Sequence, residues 1–273
     1  MPEHFEVRRM ADYLKDHGLI GQRLLSATFC NRGERLLKTH RSSWNALASQ
    51  RLNTIKVKAK YTGFEFDSST VLLHYRFTGI PHLEGHSYGD RLNTIFSLPI
   101  LTKKSQHCRF FWQFETLRMN FFDTRALSHM NIYPGVPFND IETIKSLPPD
   151  INDMANMSFS DWRQTIALNK TSLKDWLLNQ KTCPSGIGNY LACEILAYSG
   201  LFPFIRVREL TDKQWQRLYH GIQSVIHYVS NTAAYDWFMV FNRSHCQKCN
   251  GVVSKLRHKA SAQTTHFCPD CQI

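Results

Sequence analysis

Four cysteines near the end of the chain limit its possible folds more than any other feature. They form the pattern C-x2-C-x18-C-x2-C, at Cys246, Cys249, Cys268 and Cys271. Each C-x2-C pair offers two thiolates to one ion, and a connecting hairpin would bring both pairs onto a single tetrahedral zinc. Four thiolates leave no open coordination position, so the pattern predicts one structural zinc ion that stabilises a segment too small for its own core. Disulfides or a chance pattern are the alternatives.

The composition favours a globular protein with a polyanionic partner. Lys and Arg number 33 against 22 Asp and Glu, a formal net charge of +11, although solvated surface charge alone would also explain this excess. No apolar run approaches the roughly 18 residues of a membrane-spanning helix, and the first residues lack a secretory signal. We therefore expect an intracellular, reducing compartment in which the other four cysteines are small buried thiols: Cys30, Cys108, Cys183 and Cys193.

Hydrophobic periodicity indicates a change of architecture near the middle of the chain. Residues 3–16 have the spacing of an amphipathic helix, and short runs rich in β-branched and aromatic residues follow between positions 22 and 130. Such runs predict a β-sandwich or barrel. Consecutive prolines at 146–150 predict a linker, beyond which helical patterns continue to residue 230. We predict an α+β fold with a β-sandwich domain at 1–145, a helical domain at 151–240 and a zinc finger at 241–273.

The second residue offers a nucleophile if the initiator methionine is removed. Pro2 would then carry a secondary amine, which is partly unprotonated near neutral pH and can attack an aldehyde carbon. An imine formed from a secondary amine is necessarily a cation, so it acts as an electron sink. Glu3 and Glu6 place carboxylates near this amine, where they can donate and accept protons. A Pro-Glu start is also common by chance.

Two further features suit phosphate binding. A glycine-rich turn leads into a predicted helix at residues 186–194, where backbone amides and the side chain of Asn189 can donate hydrogen bonds to an anion. Tight packing is the alternative, because the turn lacks the third glycine and preceding strand of a dinucleotide-binding fingerprint. The hairpin between the two cysteine pairs would present a row of cations to a phosphate backbone: Lys255, Arg257, His258 and Lys259.

Taken in order along the chain, these motifs resemble the Fpg/Nei family of DNA glycosylases with abasic-site lyase activity. The family begins Met-Pro-Glu with a second glutamate three residues later, as residues 2–6 do here. It carries a lysine in an Ala-Lys-Tyr segment, here centred on Lys60, followed by a His-x-x-x-x-Gly stretch, here residues 74–79. Its helix-two-turns-helix motif resembles residues 177–203, and the four-cysteine finger closes the chain. The resemblance spans nearly the whole sequence.

The resemblance implies a two-step reaction on damaged DNA. The enzyme would turn a damaged base out of the duplex, and Pro2 would attack C1′ of its sugar, displace the base and form a covalent Schiff base. Elimination of both flanking phosphates would follow. Glu3 would protonate the sugar ring oxygen, and Glu6 would help to position the site. Phosphates around the turned-out nucleotide would be bound by Lys60, Asn189, Lys174 and the hairpin cations Arg257 and Lys259.

The sequence departs from the family at the side chains that fill the gap left by the base. Phe77 lies where one filler is usually methionine, and Arg125 and Leu127 stand in a segment that differs from the family's Asp-Pro-Arg-Arg-Phe. A leucine wedge unstacks bases but cannot stack as a phenyl ring does. In the finger, Gln263 replaces an arginine that grips phosphates in the family, so a neutral amide takes the place of a charge.

The expected activity is base excision followed by strand cleavage through β,δ-elimination. Residues 230–245 are too few for the long loop with which Fpg-type members cover 8-oxoguanine. The resemblance therefore favours a Nei-like preference for oxidised pyrimidines, hydantoins and abasic sites over Fpg-type specificity for 8-oxoguanine and formamidopyrimidines. We expect a DNA-associated monomer without a membrane partner. Two rival interpretations are a relative that binds damaged DNA without excising bases, and a zinc-ribbon interaction factor.

Overall fold

The computed structural model describes residues 2–88, 105–232, 235–257 and 263–273. The chain divides into two compact units, Met1–Ser146 and Leu147–Ile273, so the division falls at the start of the segment with consecutive prolines. No helix in the described ranges is both long and apolar enough to cross a membrane.

The first unit contains two antiparallel sheets, each with four strands among the described residues. One sheet has the strand order β1-β6-β7-β5, and the other has the order β2-β3-β4-β8. Helix α1 (His4–Asp16) precedes the strands, and the short helices α2 (Arg41–Asn45) and α3 (Glu142–Lys145) lie after β1 and β8 in the chain. The strands are β1 (Leu24–Phe29), β2 (Leu52–Lys58), β3 (Tyr61–Phe66), β4 (Ser69–His74), β5 (Ile80–Leu83), β6 (Cys108–Phe114), β7 (Arg118–Phe122) and β8 (His129–Pro134).

One apolar cluster joins α1 to both sheets. The helix contributes Val7, Met10 and Leu14, all fully buried, at the spacing that places side chains on one face of a helix. Burial alternates along β6, so that Phe110 and Trp112 point into the same cluster. This packing fixes α1 on the sandwich and thereby fixes the position of the first residues of the chain.

The second unit is helical and ends in a two-stranded hairpin. Three of its helices begin at a hydroxyl side chain that accepts a backbone N–H: Ser158, Ser172 and Thr211. The helices are α4 (Phe159–Gln164), α5 (Leu173–Leu178), α6 (Asn189–Ser199) and α7 (Asp212–Asn231), and the hairpin pairs β9 (Ser254–Arg257) with β10 (Thr264–Phe267).

Tryptophan side chains form the centre of the helical unit. The rings of Trp162, Trp176 and Trp215 have centroids 5.6 to 6.5 Å apart and are almost completely buried, which matches the geometry of favourable edge-to-face contacts. The α+β fold expected from the sequence is confirmed: an N-terminal helix on a β-sandwich, a helical part and a C-terminal hairpin bearing four cysteines.

Candidate active site

Helix α1 begins beside the turn that joins β2 to β3. Glu3 is the N-cap residue, and its backbone N–H donates to Oε2 of Glu6 at 2.8 Å as part of a capping box. Nδ1 of His4 and the carbonyl oxygen of Ala59 lie 3.0 Å apart, which ties the start of the helix to the turn. Pro2, the residue before the cap, is buried.

The same turn carries Lys60 to the start of α1. Ala59 has a φ of +51°, a left-handed conformation that reverses the chain between the two strands. Lys60 is only 8% exposed. Burial lowers the pKa of Lys60, while the nearby carboxylates of Glu3 and Glu6 act in the opposite direction. The structure thus brings the four candidate catalytic residues together: Pro2, Glu3, Glu6 and Lys60.

This arrangement is suited to proton transfer at an amine. Glu3 and Glu6 are 2% and 1% exposed, so water screens their charges poorly and each charge acts strongly on its neighbours. Lys60 offsets the negative charge of the two carboxylates. A free amine on Pro2 would therefore lie next to the carboxyl group of Glu3, which can accept and donate a proton.

A row of ring side chains continues from Lys60 across the sheet. Tyr61, His74 and His129 lie directly opposite one another on β3, β4 and β8. The two histidine rings stack with centroids 5.1 Å apart, and Nε of Arg76 donates to Nδ1 of His129 at 3.3 Å. Burial, with smaller contributions from His129, Arg76 and Lys60, lowers the pKa of His74 to about 3. Sequence analysis assigned no role to these rings; the signal was His74 in the His-x-x-x-x-Gly stretch.

The low pKa of His74 predicts that the protein loses stability as the pH falls. Above pH 6.5, His74 is neutral in both the folded and the unfolded chain. Below pH 6.5 only the unfolded chain takes up the proton, so the free energy of unfolding decreases between pH 6.5 and about 3. Urea unfolding gives the free energy of unfolding at pH 7.5 and at pH 5.0. The decrease between these two pH values should be about 2 kcal/mol smaller in His74→Gln than in the parent protein. Equal losses in the two proteins would contradict the assignment.

The three candidate gap-filling side chains lie on two loops that meet. Phe77 is 44% exposed on the β4–β5 loop, and Leu127 is 48% exposed on the β7–β8 loop. The guanidinium carbon of Arg125 lies 5.5 Å from the centre of the Phe77 ring, within the range of a cation–π contact. The structure therefore brings together two of the predicted fillers, and the third is exposed on the same loop as Arg125.

A buried carboxylate that sequence analysis missed holds these loops together. Asp123 is fully buried, and its side chain accepts hydrogen bonds from the hydroxyl of Thr78 and from the backbone N–H groups of Arg125 and Ser128. Nε of Arg109 donates to the carbonyl oxygen of Asp123 at 2.7 Å. The only available sequence signal was the position of Asp123 in the segment compared with the family's Asp-Pro-Arg-Arg-Phe.

In the second unit, the structure places Lys174 differently from the expectation. Sequence analysis put Lys174 among the phosphate ligands, but the residue is 2% exposed. Its Nζ donates to the carbonyl oxygen of Asn189 at 2.8 Å and to Sγ of Cys193 at 2.9 Å. The ammonium therefore supports the first turn of α6 from within the unit instead of lying at the surface.

Asn189 and Gln263 lie against the start of β10. Nδ2 of Asn189 donates to the carbonyl oxygen of Thr264 at 3.0 Å. The amide oxygens of Asn189 and Gln263 are buried without a hydrogen-bond partner among the described residues. Arg257 is exposed at the end of β9, and Lys259, the other predicted cation of the hairpin, lies outside the described residues.

The four finger cysteines converge on one point. The sulfur atoms all lie within 4.8 Å of one another in the group Cys246, Cys249, Cys268 and Cys271. Among the described residues, no other group of three or more His, Cys, Asp or Glu side chains could hold a metal ion. Four sulfur donors at this separation fit a tetrahedral zinc ion. These residues can hold a metal ion, as the spacing predicts.

Glu194 of α6 anchors the segment that leads into the finger. The side chain is fully buried and accepts backbone N–H groups of three consecutive residues, with distances of 3.0 Å to Val240 and 2.7 Å to Phe241. Burial raises the pKa of Glu194, although these hydrogen bonds act against the rise. Sequence analysis did not single out Glu194, because nothing in the local sequence distinguishes it from a surface glutamate on a helix.

Comparison with known proteins identifies relatives of this chain. The family model of the formamidopyrimidine-DNA glycosylase N-terminal domain matches residues 1–130 of this chain. The formamidopyrimidine-DNA glycosylase of Ureaplasma parvum is 26% identical over 293 residues, with 100% of both chains covered. Human endonuclease 8-like 3 is 31% identical over 128 residues, which cover 44% of this chain and 21% of that protein.

Solved structures share the fold over the full length. Lactococcus lactis formamidopyrimidine-DNA glycosylase bound to DNA with an abasic site has a TM-score of 0.80 at 18% identity and covers 99% of both chains. The same enzyme bound to DNA with an oxidised pyrimidine has a TM-score of 0.81 at 19% identity, again over 99% of both chains. The fold and these matches resemble those of one class of protein, the DNA-repair glycosylases. Within that class, the chain is similar to the Fpg/Nei family of DNA glycosylases, over residues 1–130 to the family model and over its full length to a relative that is 26% identical.

Proposed function

We propose that this chain excises damaged bases and cleaves the strand at the resulting abasic site with the amine of Pro2. The main support for this proposal is a cluster of buried residues where α1 meets the β2–β3 turn: Pro2, Glu3, Glu6 and Lys60. An amine, a proton donor and a balancing cation in a buried cluster are the groups that this reaction needs. The similarity to the Fpg/Nei family supports the same reaction.

In this mechanism, Pro2 acts as nucleophile and then as electron sink. The Pro2 nitrogen forms a bond to C1′ of the sugar as the bond from C1′ to the damaged base breaks, and the proton that the Pro2 nitrogen loses passes to the departing base. Opening of the sugar ring then gives an iminium cation that joins Pro2 to C1′. The cation favours loss of a C2′ proton with departure of the 3′ phosphate, and a second elimination releases the 5′ phosphate. Water finally hydrolyses the imine and restores the amine.

The surrounding residues divide the remaining tasks. Glu3 donates the proton to the sugar ring oxygen as the ring opens, which general acid catalysis accelerates by about 10² to 10⁴-fold. Glu6 holds the backbone of Glu3 through the capping box and so positions this acid. Lys60 would supply a positive charge to the phosphate of the nucleotide, and the nearby carboxylates of Glu3 and Glu6 act against the effect of burial on that charge.

Each of the two units offers candidate contacts with DNA. Phe77, Arg125 and Leu127 would fill the gap that the turned-out base leaves, as exposed side chains on braced loops. Asn189 and Gln263 would donate amide hydrogen bonds to phosphates after rotation of their amide groups, and Arg257 and Lys259 would add charge. Lys174 would hold the backbone of Asn189 in place through its hydrogen bond to the carbonyl oxygen of that residue. The protein would act as a DNA-associated monomer.

We propose that the four finger cysteines hold one structural zinc ion. Zinc has no role in the chemistry here because four thiolates leave no open coordination position. Cys246 and Cys268 pack in one apolar cluster with Cys193 and Ala197 of α6, so the ion would attach the hairpin bearing Arg257 to the helical core.

Replacing one of these thiols should release the zinc ion and weaken DNA binding. Cys268→Ser is expected to retain no zinc after dialysis and to bind duplex DNA about tenfold or more weakly, because the hairpin cations lose their support. Cys183→Ser is the matched control, since Cys183 is also buried but lies outside the cluster. Metal analysis and fluorescence anisotropy give the two readouts. Full zinc retention by Cys268→Ser would contradict the proposed ligand set.

Among lesions, we propose a preference for oxidised pyrimidines, hydantoins and abasic sites. The short segment from Ser230 to His245 supports this preference, because it leaves little chain for a loop over 8-oxoguanine. Fpg-type specificity is the second candidate, favoured by the names of relatives that match 100% and 83% of this chain. Oligonucleotides that each carry one lesion distinguish the two: faster excision of 8-oxoguanine than of oxidised pyrimidines and hydantoins would overturn the preference.

Borohydride trapping tests the central proposal. Reduction during reaction with an abasic oligonucleotide should convert the imine into a stable protein–DNA adduct, and tryptic digestion should locate the adduct on residues 2–8. Intact mass must first establish that the chain starts at Pro2. Absence of an adduct from such protein would exclude the lyase reaction, and DNA binding without excision would then favour a non-catalytic relative.

A further inference from the structure

Two cysteine thiols outside the finger lie in contact in the first unit. Sγ of Cys30 donates a hydrogen bond to Sγ of Cys108 at 3.3 Å. Cys30 follows β1 and Cys108 begins β6, and these two strands pair antiparallel. The backbone N–H of Cys30 donates to the carbonyl oxygen of Arg109 at 2.8 Å, and the side-chain amide of Asn31 donates to that of Cys108 at 2.9 Å. The sheet itself therefore holds the two sulfur atoms together.

The two thiols differ in exposure and in chemistry. Cys30 is half-buried, whereas Cys108 is 9% exposed, and both line a pocket of about 300 Å³ with Phe111 and Arg118. Burial and the neighbouring Cys30 thiol raise the pKa of Cys108 to about 12, so Cys108 stays protonated at neutral pH. Cys30 is thus the thiol that a small solute reaches first.

We propose that Cys30 and Cys108 react with hydrogen peroxide and close into a reversible disulfide. The Cys30 thiolate attacks one peroxide oxygen, the O–O bond breaks, and the other oxygen leaves as water after protonation, which gives a sulfenic acid on Cys30. The Cys108 sulfur then attacks the Cys30 sulfur, loses its proton, and displaces the sulfenic oxygen as water. Each cysteine gives up one proton and one electron, and the peroxide is reduced to two waters.

Disulfide formation needs little movement in this sheet. Sulfur atoms in a disulfide are about 2.05 Å apart, so the two sulfurs have to approach by roughly 1.3 Å. Capture by Cys108 would also protect Cys30 from irreversible oxidation to sulfinic acid. A metal site is a poorer interpretation of this pair. Among the described residues, three or more metal-binding side chains come together only at the finger cysteines, and Cys30 and Cys108 are not among them.

The disulfide would act on the loop that carries Arg125 and Leu127, an effect that rests on the proposed function. Arg109 follows Cys108 in β6 and donates to the carbonyl oxygens of Asp123 at 2.7 Å and Thr124 at 3.4 Å. Although the sulfurs approach by only roughly 1.3 Å, this shift at Cys108 would be passed to Arg109 and to the hydrogen bonds by which Arg109 braces this loop. We expect oxidation to weaken binding to DNA with an abasic site, where the side chains of this loop would fill the gap left by the missing base.

Peptide mapping tests the disulfide independently of any DNA reaction. Zinc-loaded protein is treated with hydrogen peroxide, alkylated and digested with trypsin. We expect residues 24–32 linked to residues 105–109, with separation by dithiothreitol, while Cys183 and Cys193 remain alkylated thiols. In Cys108→Ser the link should be absent and Cys30 should carry sulfinic acid. Oxidation of Cys30 to sulfinic acid in the parent without a link, or a link that forms only after denaturation, would overturn the proposal.

DNA affinity tests the effect on the loop. Oxidised parent should bind a duplex with an uncleavable abasic-site analogue several-fold more weakly than reduced parent, and dithiothreitol should restore the affinity. Cys30→Ser, which cannot start the reaction, should bind equally before and after peroxide. Equal affinity of linked and reduced parent would overturn the coupling to the loop. Failure of reduced parent to bind would contradict the proposed function and leave the mapping result standing.

Discussion

A protein that retains one residue before Pro2 is expected to cleave abasic sites about 10³-fold or more slowly than protein that starts at Pro2. The additional residue converts the secondary amine into an amide nitrogen, whose lone pair is delocalised into the carbonyl group and cannot attack C1′. Glu3, Glu6 and Lys60 all remain in the chain. The loss therefore measures the nucleophile, and single-turnover cleavage of an abasic oligonucleotide gives the rate.

The matched control carries the same additional residue at the C-terminus, beyond Ile273. This variant should cleave at the parent rate, and both variants should bind an uncleavable abasic-site analogue. If the N-terminally extended protein cleaves as fast as the parent, and its intact mass shows no processing, then Pro2 is not the nucleophile. The buried Lys60 amine would then be the next group to test.

Local sequence predicted both helices and strands of this protein, but not every strand. Helical patterns were predicted between the linker and residue 230, and α5 (Leu173–Leu178) and α6 (Asn189–Ser199) lie in that range, because capping residues and glycines mark helix ends in the local sequence. β1 (Leu24–Phe29) was not singled out as a strand, since Leu25 is 52% exposed and the burial pattern is irregular. The pairing of β1 with β6 depends on residues more than 80 positions away.

The residue types of the site could be predicted from motifs, but their burial could not. Lys60 and Lys174 both count as ordinary cations in a sequence with a net charge of +11. In the structure, Lys60 is buried near the carboxylates of Glu3 and Glu6, which act on its pKa. Lys174 donates a hydrogen bond to the carbonyl oxygen of Asn189. These placements result from packing between elements, whereas Arg257 is exposed on the hairpin. The salt dependence of DNA binding should therefore report Arg257 more than Lys174.

Glu3→Gln is expected to separate the two steps of the reaction. Glutamine keeps the shape of the side chain but cannot donate the proton that the sugar ring oxygen needs, so excision of a damaged base should slow by about 10² to 10⁴-fold. Cleavage at a preformed abasic site should be partly retained, because its sugar is already open to attack by Pro2. Parallel single-turnover assays on one damaged and one abasic oligonucleotide give the ratio of the two rates.

Glu6→Gln is the matched control for Glu3→Gln. Both substitutions remove one carboxylate from beside Lys60, so both shift the pKa of Lys60 in the same direction. In Glu6→Gln, the amide oxygen of the new side chain can still accept the N–H of Glu3, which preserves the capping box. The two variants therefore differ in whether the lost carboxylate is the proton donor. If both slow excision and abasic cleavage equally, Glu3 contributes only charge near Lys60, and the sugar oxygen must take its proton from another group.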